Sequence, residues 1–287
     1  MADRLSLIRR DYARAMLASA GVASPALESA FAVVPREAFV GSGPWATFSP
    51  DGYSTTVDGD PAHVYADVLI ALVPEKKINN GQPSGHAMWL AAADPKPGDH
   101  VVHIGIGTGY YTAILAELVG PTGRVTAIEY DASLANRAAN NLAHYRHVTV
   151  IHGDGTALPF GLANVIYVNA GVTRPAENWL DRLKDGGRLV LPLTASGEAP
   201  AGAVFCFTRH GEEFRASAVS PTAFIPCEGM RDRESSEALA AAFAKGGVER
   251  VTRLVRGEPP PQDECWLRGA GWSLCYSTAA PPHHDKR

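Results

Sequence analysis

The segment Val101-Val102-His103-Ile104-Gly105-Ile106-Gly107-Thr108-Gly109 decides the reading of this 287-residue chain. A short β-branched run passes without a linker into three glycines at alternate positions. A helical pattern follows at once, with Tyr110, Ile114 and Leu118 at intervals of four. Glycines at a strand-to-helix turn let backbone N–H groups approach a ligand with no side chain in the way. The helix N-terminus adds unpaired N–H donors that favour negative charge.

The same rhythm continues outward. Further β-branched runs occur at Val125–Ile128, Val148–Ile151, Val165–Val168 and Leu189–Leu191, with a second helical pattern from Leu134 to Leu142. The first helix stops at Gly120-Pro121, a normal terminator. Strands alternating with helices at such spacing predict βαβ units and an α/β fold with a doubly wound, mostly parallel sheet. Ligands bind such sheets at the carboxyl ends of the strands. Residues 1 to about 40 read as helical, with Leu5, Ile8, Tyr12 and Met16 in phase, and residues 41–75, rich in Gly, Pro, Asp and Ser, read as irregular. Beyond Pro192 come strand-like pieces at Val204–Thr208 and Ala218–Ile225, a helical pattern over 233–246 and a Glu-Pro-Pro-Pro break at 258–261. The expected organisation is an N-terminal helical region (1–75), a ligand-binding domain (76–229), a C-terminal extension (230–280) and a disordered polar tail (281–287) in which His283 and His284 are solvated.

Composition narrows the function classes. A formal charge of −4 offers no global field for a polyphosphate backbone, so no nucleic-acid partner is expected. No apolar run reaches the roughly 18 residues of a membrane span, and the N-terminus lacks a secretory stretch. A cytoplasmic protein without a membrane partner is expected; the oligomeric state is left open. Cys206, Cys227, Cys265 and Cys275 lie 21, 38 and 10 residues apart, which makes no zinc clip and no other metal site. They read as buried thiols in a reducing compartment.

Two further elements define the ligand. Glu129 ends the second strand, 24 residues after Gly105, where a carboxylate can accept from both hydroxyls of a ribose. Gly153-Asp154-Gly155 ends the third strand, where a carboxylate can meet an adenine amino group. A solvated strand-end charge and a turn residue are the plainer readings of the two acids. The glycine spacing is Gly-x-Gly-x-Gly rather than the Gly-x-Gly-x-x-Gly of dinucleotide enzymes. That favours an adenosine ligand without a pyrophosphate and disfavours a nicotinamide dehydrogenase.

At this point the sequence resembles the protein-L-isoaspartate O-methyltransferases over roughly residues 30–229. Val34-Pro35-Arg36-Glu37-Ala38-Phe39-Val40 resembles that family's Val-Pro-Arg motif, and Ile104 to Tyr110 its first cofactor motif. Gly153-Asp154-Gly155, Lys184 to Pro192 and Phe224-Ile225-Pro226 match later segments in order. The resemblance implies a class I methyltransferase, Rossmann-like, with S-adenosylmethionine as cofactor. It implies that Gly105, Gly107 and Gly109 carry the cofactor, Glu129 with Tyr130 the ribose, and Asp154 with Gly155 the adenine. The family closes its site with Thr-Ile-Ser-x-Pro; the matching stretch here is Asn79-Asn80-Gly81-Gln82-Pro83, followed by Ser84 and His86. In some members a histidine at the position of His86 helps bind the cofactor.

Three departures stand out: Gly81 replaces the serine that contacts substrate and cofactor, His103 an acid, and Asn164 an aspartate. Together with the extra chain after Gly229, they predict weak activity on generic isoaspartyl peptides. Methyl transfer from a sulfonium needs mainly positioning, and a carboxylate acceptor, already ionised at neutral pH, needs no base. The expected activity is therefore O-methylation of a carboxylate on a peptide, protein or specialised small metabolite. Gln82 and Ser84 are expected to face the acceptor; Asn79, Asn80, Gly81 and His86 the methionine end; Asn169, ending the fourth strand, the reacting methyl. The run Asn169-Ala170-Gly171-Val172 lacks the two prolines and aromatic ring of adenine-N6 methylation. Two alternatives stay open: a catalytically idle cofactor-binding module, and an N- or O-methyltransferase of a small molecule with His86 or His103 as base.

Overall fold

The computed structural model describes residues 4–49, 52–195, 201–227 and 229–277; the expected tail, with His283 and His284, lies outside them. The chain opens with three helices, α1 (Arg4–Ser19), α2 (Pro25–Val33) and α3 (Glu37–Val40). Ser24 caps α2, its Oγ accepting from the Leu27 N–H at 3.3 Å, with Pro25 at the first helical position.

Residues 41–75, expected to be irregular, instead contribute to a small antiparallel sheet. Strands β1 (Ala46–Ser49), β2 (Gly52–Thr55), β3 (Leu69–Val73) and β4 (Ile78–Asn79) pair in the order β2-β1-β3-β4. With two to five residues each, these strands are too short for alternation to emerge from the surrounding Gly, Pro and Asp.

The βαβ part follows the sequence pattern. It comprises α4 (Pro83–Ala93), β5 (His100–Ile104), α5 (Tyr110–Val119), β6 (Arg124–Glu129), α6 (Ala132–Asn141), β7 (Val148–His152), β8 (Ala163–Val168), α7 (Glu177–Asp181) and β9 (Leu183–Thr194). Helix α4 begins at Pro83, so Ser84 and His86 sit in its first turn rather than in a loop before Ala87. The remaining elements are β10 (Gly202–His210), β11 (Glu213–Pro221), α8 (Arg233–Lys245), β12 (Val251–Arg256), β13 (Cys265–Gly269) and β14 (Trp272–Tyr276).

All of β5 to β14 join one sheet, ordered β13-β14-β12-β11-β10-β9-β8-β5-β6-β7. Pairings from β7 to β9 are parallel, and those from β9 to β13 are antiparallel. The sheet is thus mixed rather than mostly parallel. From β9 to β11 the connections are too short for a crossover helix, so those strands can only turn back on themselves. The C-terminal extension adds three strands to this same sheet.

Alternate residues of β5 enter different cores. Val101 packs with Phe31, Leu90 and Ile114 of α2, α4 and α5, whereas Val102 and Ile104 pack with Trp179 of α7 and Leu239 of α8. The expectation of four reduced cysteines is corrected for one pair. Cys265 and Cys275 oppose each other across β13 and β14 and form a disulfide. Cys206 is the buried thiol expected, and Cys227 is half-buried.

Candidate active site

At the carboxyl end of β5 the chain turns through Gly105, whose φ of +75° suits glycine. A Cβ there would stand 3.1 Å from the carbonyl oxygen of Asn169 at the end of β8. The loop can therefore lie close against the neighbouring strand end and leave its outer side open.

Glu129, ending β6, is nine-tenths buried yet held as an acceptor. Its Oε2 accepts from the Gly107 N–H at 2.7 Å and its Oε1 from the Asp131 N–H at 3.0 Å. Burial raises its pKa, while these backbone donors pull the other way. A carboxylate has about four lone-pair sites, so about two remain for a ligand. At the end of β7, Asp154 Oδ1 accepts from the Thr156 N–H at 2.8 Å. That bond makes the acid part of its turn, and it lines the same cleft as Glu129.

Asn169 donates through Nδ2 to His103 Nε2 at 2.8 Å. Its Oδ1 is buried with no partner among the described residues, an acceptor waiting for a donor. His103 also bonds Thr112 Oγ1 at 2.9 Å, and full burial holds its pKa down at about 3. It is a fixed neutral support behind Asn169 and does not line the cleft, which removes it as a base.

The roof runs from β4 into α4. Asn79 Oδ1 accepts from the Gly81 N–H at 2.8 Å, and the Asn80 N–H donates to the Ile70 carbonyl at 2.7 Å. Beneath it lies Arg36, fully buried. Its guanidinium donates to Asn80 Oδ1 at 3.0 Å, to the Val64 and Ala66 carbonyls at 2.9 Å, and to that of Val68 at 2.8 Å. One side chain thereby ties α3, the segment before β3 and the roof together. Asp67 caps α4, accepting from the Ser84 N–H at 2.8 Å and from Gln82 Nε2 at 3.0 Å.

His86 stacks on Tyr111, with ring centroids 3.5 Å apart and planes 10° from parallel, and its Nδ1 lies 2.9 Å from the Tyr167 hydroxyl. Burial pushes its pKa well below the usual range, so it too is a poor base. Gly81 has φ +74°, and a Cβ on it would fall 2.3 Å from His86 Nε2. The imidazole fills the space that a side chain at position 81 would occupy.

These parts enclose one cleft of about 1250 Å³. It is lined by Asn79, Asn80, Gly81, Gln82, Ser84, His86, Gly105, Gly107, Glu129, Tyr130, Asp154, Gly155 and Asn169. Gly109 is the predicted site residue that it excludes: a Cβ there would meet Leu142 at 2.7 Å, so this glycine serves the packing of α5 on α6. Sequence reasoning missed a further part of the cleft lining, where Trp89 of α4 donates to Ser220 Oγ at 2.8 Å and packs on Phe224 with centroids 5.1 Å apart. Phe224-Ile225-Pro226 is not a strand; it lies beside the loop after β8, the Gly171 N–H bonding the Ile225 carbonyl at 2.8 Å. Arg36 stood in a quoted motif without a role, and nothing in the sequence singled out Asp67, Tyr111 or Tyr167.

The profile of the family described as Protein-L-isoaspartate(D-aspartate) O-methyltransferase (PCMT) matches residues 14–232. The chain is 31% identical over 227 residues to the protein-L-isoaspartate O-methyltransferase of Ignicoccus hospitalis, covering 76% of this chain and 96% of that one. It is 40% identical over 125 residues to that of Methanopyrus kandleri, a match spanning 40% of this chain and 55% of the relative. A solved protein-L-isoaspartate O-methyltransferase structure superposes with a TM-score of 0.64 at 25% identity, over 86% of this chain and 74% of the other. A buried acid bonded to the glycine loop and an orphaned acceptor at Asn169 thus meet in a fold shared with these enzymes, and the chain belongs to the protein-L-isoaspartate O-methyltransferase family of S-adenosylmethionine-dependent methyltransferases.

Proposed function

We propose that the protein methylates a carboxylate of a peptide or protein in the cleft beneath Gly81 and His86. When bound, S-adenosylmethionine supplies a methyl group on a cationic sulfonium, open to in-line displacement by a carboxylate oxygen. The residues present fit that cofactor. Gly105 and Gly107 provide the open backbone, Glu129 the ribose acceptor, Asp154 a partner for an amino group, and Asn169 Oδ1 an unused acceptor. Asn79, Asn80, Gly81 and His86 roof the far end, and Tyr130 borders the ribose side.

The carrying observation is the chemistry of the lining. Among the described lining residues the one Lys or Arg is Lys76, already paired with Asp131 at 2.5 Å on the Glu129 side. The two histidines weighed as bases are held neutral by burial. Neither can readily deprotonate an amine or hydroxyl, and the third histidine of the lining, His152 at the end of β7, stands on the Tyr130 side, its Nε2 donating to the Tyr130 carbonyl at 3.1 Å. The site can orient a group that arrives ionised, using neutral donors such as Ser84, Ser220 and Thr222 that leave its charge available for attack. At about 1250 Å³ the cleft exceeds the roughly 300–1,000 Å³ of single small-ligand sites, leaving room for a segment of chain beside the cofactor. Methyl transfer to a peptide panel, followed by mild base, tests the reading: carboxyl esters release methanol, whereas methylated amines do not.

A further inference from the structure

The buried pair formed by Tyr167 and His86 is not explained by the roles above. Tyr167 lies on β8 with its side chain sealed in the core, and among the described residues its hydroxyl bonds His86 Nδ1 alone, at 2.9 Å. A buried phenol that only accepted from an Nδ1–H would leave its own proton unpaired, the unfavourable arrangement. Donation from the hydroxyl to Nδ1 satisfies both groups. Burial keeps the imidazole uncharged and the phenol protonated. The single ring proton then sits on Nε2.

Geometry fixes where that proton is. The ring is clamped flat against Tyr111 at 3.5 Å. Nε2 makes no hydrogen bond to another described residue, belongs to a side chain lining the cleft, and stands 2.3 Å from the position of a Cβ on Gly81. Glycine at 81 leaves this volume to the N–H.

We infer that Tyr167 is a positioning residue acting through His86: its hydroxyl holds the imidazole as the neutral Nε2–H tautomer, which presents a fixed donor to a carboxylate oxygen in the cleft. The inference deepens the proposed function. Two carboxylates can supply that oxygen, the acceptor's and the one on the methionine end of the cofactor. A neutral donor orients either without withdrawing a full charge.

Nitrogen-15 NMR of the whole protein labelled at histidine reads the tautomer directly. His86 shows a protonated, pyrrole-type Nε2 and a pyridine-type Nδ1, and Tyr167→Phe moves the pattern toward Nδ1–H or a mixture. In parallel, kcat/KM for an isoaspartyl hexapeptide and calorimetric affinity for S-adenosylhomocysteine are measured. Tyr167→Phe lowers one of them about tenfold. A loss confined to peptide kcat/KM assigns the acceptor carboxylate; an equal loss of S-adenosylhomocysteine affinity assigns the cofactor's. In a His86→Phe background, which keeps a ring on Tyr111, Tyr167→Phe has no further effect. The inference is overturned by a protonated Nδ1 in the unsubstituted protein. It is also overturned if Tyr167→Phe changes neither readout, or acts equally in the His86→Phe background. If the unsubstituted protein binds S-adenosylhomocysteine but methylates no carboxylate peptide, the proposed function fails, while the spectrum and the binding arm still decide the role of Tyr167.

Discussion

Restoring the family's serine at position 81 should damage this protein rather than improve it. The backbone there has φ +74°, and for a residue with a Cβ that conformation costs about 1–2 kcal/mol. The Cβ would sit 2.3 Å from His86 Nε2 and 2.9 Å from its Cδ2, closer than real Cβ contacts come. His86 cannot swing aside cheaply, because it is stacked on Tyr111 and bonded to Tyr167. Overpacking of this kind costs about 1–3 kcal/mol more. Gly81→Ser is thus expected to destabilise by about 2–5 kcal/mol, which at about 2–4 °C per kcal/mol lowers the melting temperature by about 4–20 °C. Circular dichroism melts of the two proteins measure it, with turnover on an isoaspartyl hexapeptide measured below both transitions. A serine variant melting within about 2 °C of the parent and turning over faster would refute the reasoning.

Other consequences follow from the same geometry. Glu129→Ala removes charge-assisted hydrogen bonds worth about 1.5–3 kcal/mol and should weaken S-adenosylhomocysteine binding roughly ten- to a hundredfold by calorimetry, with the fold intact. Ser84→Ala keeps the Asp67 cap on the backbone N–H and should lower kcat on a carboxylate peptide more than cofactor affinity, as kinetics against calorimetry will show. His103 has its folded pKa depressed from 6.5 to about 3, so its contribution to stability is present above about pH 6.5 and is lost as pH falls toward 3. His86 shifts in the same direction. Denaturation at stepped pH should show stability falling on that acid limb by up to about 1.4 kcal/mol per pH unit for each, and His103→Gln should remove one share. Arg36→Met removes the partner of four acceptors, two buried and two part-buried, and should destabilise by about 3 kcal/mol or more in urea titrations.

The parallel half of the sheet was legible because its inner strands are buried on both faces and read as short, mostly β-branched runs, as in Val101–Ile104 and Val165–Val168, interrupted only by His103 and Tyr167. Glu129 and Asp154 were legible because strand ends follow the glycine loop at regular spacing. What stayed hidden depends on long separations. Arg36 meets Asn80 across 44 residues, Asp67 meets Gln82 across 15, and Tyr167 meets His86 across 81. No local period encodes such pairs. A Gly-x-Gly-x-Gly pattern does not say which glycine faces a ligand, so Gly109 was placed with the cofactor although its open side holds Leu142. The strands β12 to β14 follow turn-rich chain and carry Arg253, Arg256 and Arg268 among their apolar residues, which blurs alternation.

The central claim is that the methyl group goes to a carboxylate oxygen of a peptide. Its most direct test is transfer of labelled methyl from S-adenosylmethionine to matched peptides bearing an isoaspartyl, aspartyl, glutamyl or lysyl residue, with label release then measured in mild base. The account predicts base-labile label on one or more carboxylate peptides and none on the lysyl peptide, with the generic isoaspartyl peptide at least about tenfold below its rate with a serine-bearing family member. Base-stable label on the lysyl peptide, or no label on any carboxylate, would contradict it.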